Sequence, residues 1–169
     1  MVIKLRLSDK GTKDAIEQVK EAKKKLKWAQ DELVVRLAEY GAMRASLYFS
    51  VAQMNEDDER PVISVKLDRG AKRATITASS RDVGFIEFGA GSRFASSPHP
   101  LNSEFGTGPG TWSESSVGKG RWLDPKGWYY TRNGQKRHSY GQPAAKAMYQ
   151  TSLDIQEEVE RIVREVLGG

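Results

Sequence analysis

The chain has 169 residues, 38% of them hydrophobic and 29% charged, enough for one sizeable core and too few for two. With no cysteine it has no disulfide framework, thiolate nucleophile or cysteine-ligated zinc. The net charge of +5 is moderate, and no apolar run approaches the roughly 18 residues of a membrane span.

In chain order, Met1 to Leu7 alternates apolar and basic residues, which predicts a short strand over 1–7 and argues against a signal peptide. Thr12 can cap a helix whose first turn carries Asp14. Apolar residues then recur at Ile16, Val19, Ala22 and Leu26. They resume at Leu33, Leu37, Tyr40, Leu47 and Val51 after a change of register near Trp28. One straight helix over 12–54 would be about 65 Å long at ~1.5 Å per residue, longer than one small core covers. A break near Trp28 to Asp31 or at Gly41 is therefore expected, giving two helices or one bent helix.

The acidic run Glu56-Asp57-Asp58-Glu59 and Pro61 close the helical region. Val62 to Leu67 and Arg73 to Ala78 then predict a hairpin. Val83 to Gly89 is apolar with one carboxylate, and periodicity leaves open whether it is a strand or a helical turn. From Gly89 to Gly127 glycines are interspersed with Ser, Pro and Thr, the composition of a long flexible loop that needs an external partner as its reason. Asn133-Gly134 sits between Trp128 to Arg132 and Gln135 to Tyr140, predicting a second hairpin over 128–140. Pro143 suits the first turn of a last helix over 143–167, whose stripe is Met148, Thr151, Ile155, Val159, Ile162 and Val166. The sum is a single α+β domain over 1–169. A small, mostly antiparallel sheet packs against a long N-terminal helix and a C-terminal helix.

Candidates for chemistry are sparse. Glu87, Glu104, Glu114 and Asp124 have no recognisable catalytic setting, and the serines of the loop lie in no G-x-S-x-G elbow. Glycines at 106–110 and 118–120 lack a following Lys-Ser or Lys-Thr, so they make no phosphate loop. His99 and His138 stand far apart, outside any metal-site spacing, and read as two ordinary surface residues. No catalytic residue, cofactor or metal is assigned. Lys119, Arg121, Lys126, Arg132, Lys136 and Arg137 are interleaved with Trp122, Trp128, Tyr129 and Tyr130, a pattern that suits phosphates and bases. The same residues suit cross-strand pairing in a hairpin. The basic first helix and the acidic runs at 56–59 and 154–160 suit complementary faces between copies and equally suit ordinary solvated helix faces.

Three segments occur in order: Phe85-Ile86-Glu87-Phe88-Gly89-Ala90-Gly91, then Gly127-Trp128-Tyr129-Tyr130 with its Asn133-Gly134 turn, then Gly141-Gln142-Pro143-Ala144 entering the last helix. Together they resemble the tail-completion, or head–tail joining, family of long-tailed bacteriophages, a group similar to the minor tail protein Z of phage lambda. The likeness runs from about Leu33 to Leu167. The family's V-E-F-G-T-G falls on Ile86 to Gly91, and its G-Q-x-A-x-x-F-M on Gly141 to Met148. The chain departs at Ala90, where Thr is usual, and at Ala147, where an aromatic is common. The resemblance implies a non-enzymatic virion protein, assembled in the host cytoplasm and placed in the phage tail or neck. It would form a homo-oligomeric ring, hexameric by expectation, between the tail tube or tail terminator and the head connector, with DNA passing through. It implies a core or subunit-interface role for Glu87, Phe88 and Gly89. Lys119, Arg121 and Lys126 would lie toward the DNA lumen or a partner. The alternative is a free-standing basic nucleic-acid-binding protein.

Overall fold

A computed structural model describes residues 9–94, 97–101, 104 and 124–168. The strand expected at 1–7 lies outside them, as do Lys119 and Arg121. In order the chain forms α1 (Asp9–Val51), β1 (Val62–Asp68), β2 (Arg73–Ser79) and α2 (Val83–Phe88). A short 3-10 turn (Ser92–Phe94), β3 (Trp128–Arg132), β4 (Gln135–Ser139) and α3 (Ala147–Gly168) follow. This is the expected α+β class, with its antiparallel strands divided into two separate two-stranded sheets.

α1 runs unbroken for 43 residues, through both places where a break was expected. The apparent change of register disappears once alanines are counted. Ala15, Val19, Ala22, Leu26, Ala29, Leu33, Leu37 and Tyr40 recur at spacings of three and four on one face. Ala29 is the link, only 6% exposed and packed with Ile162 and Val166 of α3, with Leu33, Leu37 and Tyr40 against the same cluster. Gly41 is a crossing point. A Cβ there would lie 2.5 Å from the Ile76 Cδ1 of β2 and 2.6 Å from the Ile155 Cδ1 of α3, so glycine lets three elements meet without breaking the helix. Thr12 lies inside α1 and does not cap it.

α3 lies antiparallel along the C-terminal half of α1, since its start meets Phe49 and its end meets Ala29. The β1–β2 hairpin pairs Ile63 with Ala78 and Val65 with Ile76, and packs on α1. A second cluster joins Phe49, Ile86 and Ala147 and takes in Ile63 and Ala78 from the hairpin. Val83–Phe88, left open by periodicity, is helical: Ile86 and Glu87 are buried side by side, whereas a strand would send them to opposite faces.

The last helix begins at Ala147, four residues later than expected. Gln142 donates its N–H to the Ala90 carbonyl at 2.8 Å and accepts from the Ala90 N–H at 2.9 Å, so the backbone at 142 is held in an antiparallel bridge. Pro143 therefore precedes the helix instead of opening it. Ala147, at the position of the resemblance's aromatic, is completely buried against Phe49 and Ile86. Phe49 fills the room that a larger side chain at 147 would need.

Candidate functional site

The segments around Glu87 and Gln142, distant in sequence, meet in one knot at the start of α3. Gly89 has φ 78° and ψ 175°, a conformation that is essentially glycine-only. A Cβ there would come within 2.7 Å of the Ala144 backbone nitrogen. Gly91 and Gly141 also have positive φ, and a Cβ on Gly141 would overlap the Ala90 carbonyl oxygen. The glycine spacing of the two segments is thus the spacing at which two backbones cross in contact. Around the crossing, the Ala145 N–H donates to the Ile86 carbonyl at 2.8 Å and the Lys146 N–H to the Glu87 carbonyl at 3.1 Å.

Glu87 is 6% exposed. Its carboxylate accepts from the Met148 N–H at 3.1 and 3.0 Å and from the Tyr149 N–H at 3.1 Å, both in the first turn of α3. Those amides have no partner within the helix, and a negative charge at a helix N-terminus is favoured by the dipole. Glu87 is thus a cap supplied from another part of the chain. His99 lies beside it with Nε2 3.2 Å from Glu87 Oε1, while its Nδ1 accepts from the Leu101 N–H at 3.1 Å. In a neutral ring this leaves the hydrogen on Nε2, donated to Glu87. The His99 ring packs against Phe88, centroids 4.3 Å apart, and Tyr149, at 5.5 Å. His99, expected at the surface, is 3% exposed, because both ring nitrogens and the ring itself have partners inside the chain. His138 is exposed as expected.

Two residues of the acidic run, Asp57 and Asp58, are engaged within the chain, whereas Glu56 and Glu59 are exposed. Asp58 lies 3.5 Å from Arg132, and Asp82 accepts from Arg132 at 2.7 Å and from the Glu59 N–H at 3.0 Å. Asp57 lies 3.3 Å from Arg137 Nε and accepts from the Tyr130 hydroxyl at 3.4 Å. Burial, helped by the Asp57 charge, pushes the Tyr130 hydroxyl pKa up. Arg132, Arg137 and Tyr130 accordingly attach the β3–β4 hairpin to the segment after α1. The opposite face of that hairpin is exposed. Lys136 lies 4.5 Å over Tyr129, Tyr129 and Tyr140 flank His138 at 4.6 Å each, and Arg93 lies 4.2 Å over Tyr140. Lys126 is exposed on the turn before β3, where its N–H donates to Asp124 Oδ1 at 2.9 Å.

Between α1 and α3, Asp154 accepts from Arg44 Nε at 2.5 Å, from the Tyr48 hydroxyl at 2.8 Å and from Gln150 at 3.3 Å. Burial pushes the Asp154 carboxyl up, but the hydrogen bonds from Tyr48, Arg44 and Gln150 outweigh it and hold the pKa below the ordinary 3.8. A carboxyl depressed in the folded state adds stability above its unfolded value, and that stability is lost as pH falls through the folded value. The stability difference between the wild type and Asp154→Asn is therefore expected to be full at about pH 7 and to shrink below pH 3.8. Urea melts of both proteins across that range check it.

Of the residues singled out in the sequence, Glu87, Phe88 and Gly89 come together in the knot, and Lys126 lies apart from it. His99 was read as a surface residue, Gln142 entered only as part of a motif, and the Arg44–Tyr48–Asp154 group was passed over. The one available signal was a histidine between two prolines, Pro98 and Pro100, downstream of the Glu87 segment. Among the described residues, no group of three or more His, Asp or Glu side chains is placed to hold a metal ion. No described helix is long and apolar enough to cross a membrane. No family model, curated protein or solved structure matches this chain.

Proposed function

We propose that this chain is a structural virion protein of a tailed bacteriophage. It forms a ring, hexameric in the simplest case, at the top of the tail, completes the tail and joins it to the head connector. DNA passes through the centre, and the protein works by shape and contact, with no bond made or broken in a substrate. The observation that carries this reading is that two of the three segments behind the family resemblance, 85–91 and 141–148, fit each other. Their glycines allow one backbone to cross the other, and their carboxylate caps a helix of the same domain. Signature residues used in this way suit a building block, because their chemistry is directed at the chain's own backbone. Lys126, with Lys119 and Arg121, would face the lumen and screen passing phosphates without reading bases.

A ring needs a heterologous interface. With Asp57, Asp58 and Asp154 engaged internally, the charged residues left for it are the α1 lysines and exposed carboxylates such as Glu56, Glu59 and Glu157. On mixing purified chain with tail tubes of its phage, light scattering and negative-stain images are expected to give rings of about six times the subunit mass, capping one tube end. A chain that stayed monomeric and capped nothing would end the proposal. So would turnover of a small molecule that vanished on changing one acidic or hydroxyl side chain.

A second reading, a free-standing nucleic-acid-binding protein, rests on the outward row of Lys136, Tyr129, His138, Tyr140 and Arg93. It would be favoured by a monomer whose DNA affinity falls steeply with salt and is lost in Tyr129→Ala.

A further inference from the structure

The apolar face of α1 outruns the helix that covers it. From Ala29 to Tyr48 that face is closed by α3, and the contact has a charge pattern. α1 supplies the cations and α3 the anions, in Arg36–Glu165 at 3.7 Å and Arg44–Asp154 at 2.5 Å. Toward the N-terminus the same spacing of three and four continues through Leu26, Ala22, Val19 and Ala15. α3, however, ends beside Ala29. Leu26 is 56% exposed and Val19 51% exposed, although both stand in line with residues buried further along the same helix. Ala22 leaves room for another helix to approach closely, and the open stretch ends before Ala15, which is buried.

Lys23 and Lys25 flank this stretch on its two sides, both exposed and neither in an ion pair among the described residues. Those charges decide what fits. A second copy laid against it along its own α1 would set lysine against lysine. The acidic amphipathic helix of this chain, α3, already has its apolar face on α1. We propose that the stretch from Val19 to Leu26 receives an acidic amphipathic helix of a different protein, laid along α1 end to end with α3. The new contact continues the existing one in both spacing and sign of charge. It stands on α1 alone and does not depend on the ring.

The test uses the full chain and a stand-in for the partner: a labelled peptide with the sequence of residues 147–168, stapled on its outward face to keep it helical. A second peptide carries Lys in place of every Glu. Fluorescence anisotropy is expected to show saturable binding of the acidic peptide in the range of about 1–100 µM. Leu26→Glu and Val19→Glu, both at exposed positions, should weaken it about tenfold or more while leaving the circular dichroism melt unchanged. The charge-reversed peptide should not bind. Three results overturn the proposal. One is no saturable binding at about 1 mM. Another is binding indifferent to both substitutions, which would mean exchange with the chain's own α3, or indifferent to peptide charge. The third is self-association of the wild type that Leu26→Glu abolishes, which would place a second copy on the stripe.

Discussion

Replacing Gly89 with alanine is expected to destabilise the domain by about 3 kcal/mol or more, a large part of the roughly 5–15 kcal/mol that holds a typical domain folded. Two effects add. At φ 78° and ψ 175° any side chain carries strain of about 1–3 kcal/mol. The new Cβ would also press on the Ala144 backbone nitrogen at 2.7 Å, and that backbone is held by the Ala145-to-Ile86 hydrogen bond next to it. Gly134 provides the comparison: its φ is 76°, but a Cβ there has nothing within 4 Å. Gly134→Ala carries only the conformational cost, roughly 1 kcal/mol, and keeps its hairpin. Urea denaturation of the two variants separates strain from collision. Equal losses would mean that the backbone crossing at Gly89 is not tight.

The second large effect is expected at Glu87. Glu87→Ala removes the acceptor of the Met148 and Tyr149 amides and of His99 Nε2, leaving one buried and two part-buried donors without that partner. Stranding such groups costs about 3–5 kcal/mol. Glu87→Gln keeps one carbonyl oxygen for the helix amides but turns an NH2 group toward the remaining donors. It is expected to lose about half as much. Hydrogen exchange locates the damage. The amides of Met148 and Tyr149 should lose protection in both variants before the middle of α3 does. Uniform loss along α3 would mean that Glu87 acts through general packing and not as a cap.

Both effects act where two distant segments touch, and this sets how much of the site could be read in advance. Alternation and turn chemistry are local, so the β1–β2 hairpin and the Asn133-Gly134 hairpin were legible within a residue or so of their observed bounds. The α3 stripe was legible for the same reason. Its start was not, because the backbone of Gln142 is committed to Ala90, a partner far back in the chain. The continuity of α1 was concealed by counting only large apolar residues. Ala29 and Gly41 are positions where other elements come close, and small side chains there are the signature of contact with α3 and β2. Glu87 was legible as a lone carboxylate in an apolar run. Its role as a cap was not, since the amides it serves are about sixty residues downstream, outside any local motif.

Composition and local pattern were thus sufficient for the α+β class, the absence of cysteine chemistry, both hairpins and the amphipathic character of the two long helices. Those properties follow from interactions between near neighbours, whose geometry each short segment carries with it. The unbroken course of α1, the burial of His99 and the inward pairing of Asp57 and Asp58 depend on which surfaces meet when the chain closes. So does the bare stretch from Val19 to Leu26. A charge or an apolar stripe has the same appearance in sequence whether it ends against a neighbour or in water, and only packing assigns it to one or the other.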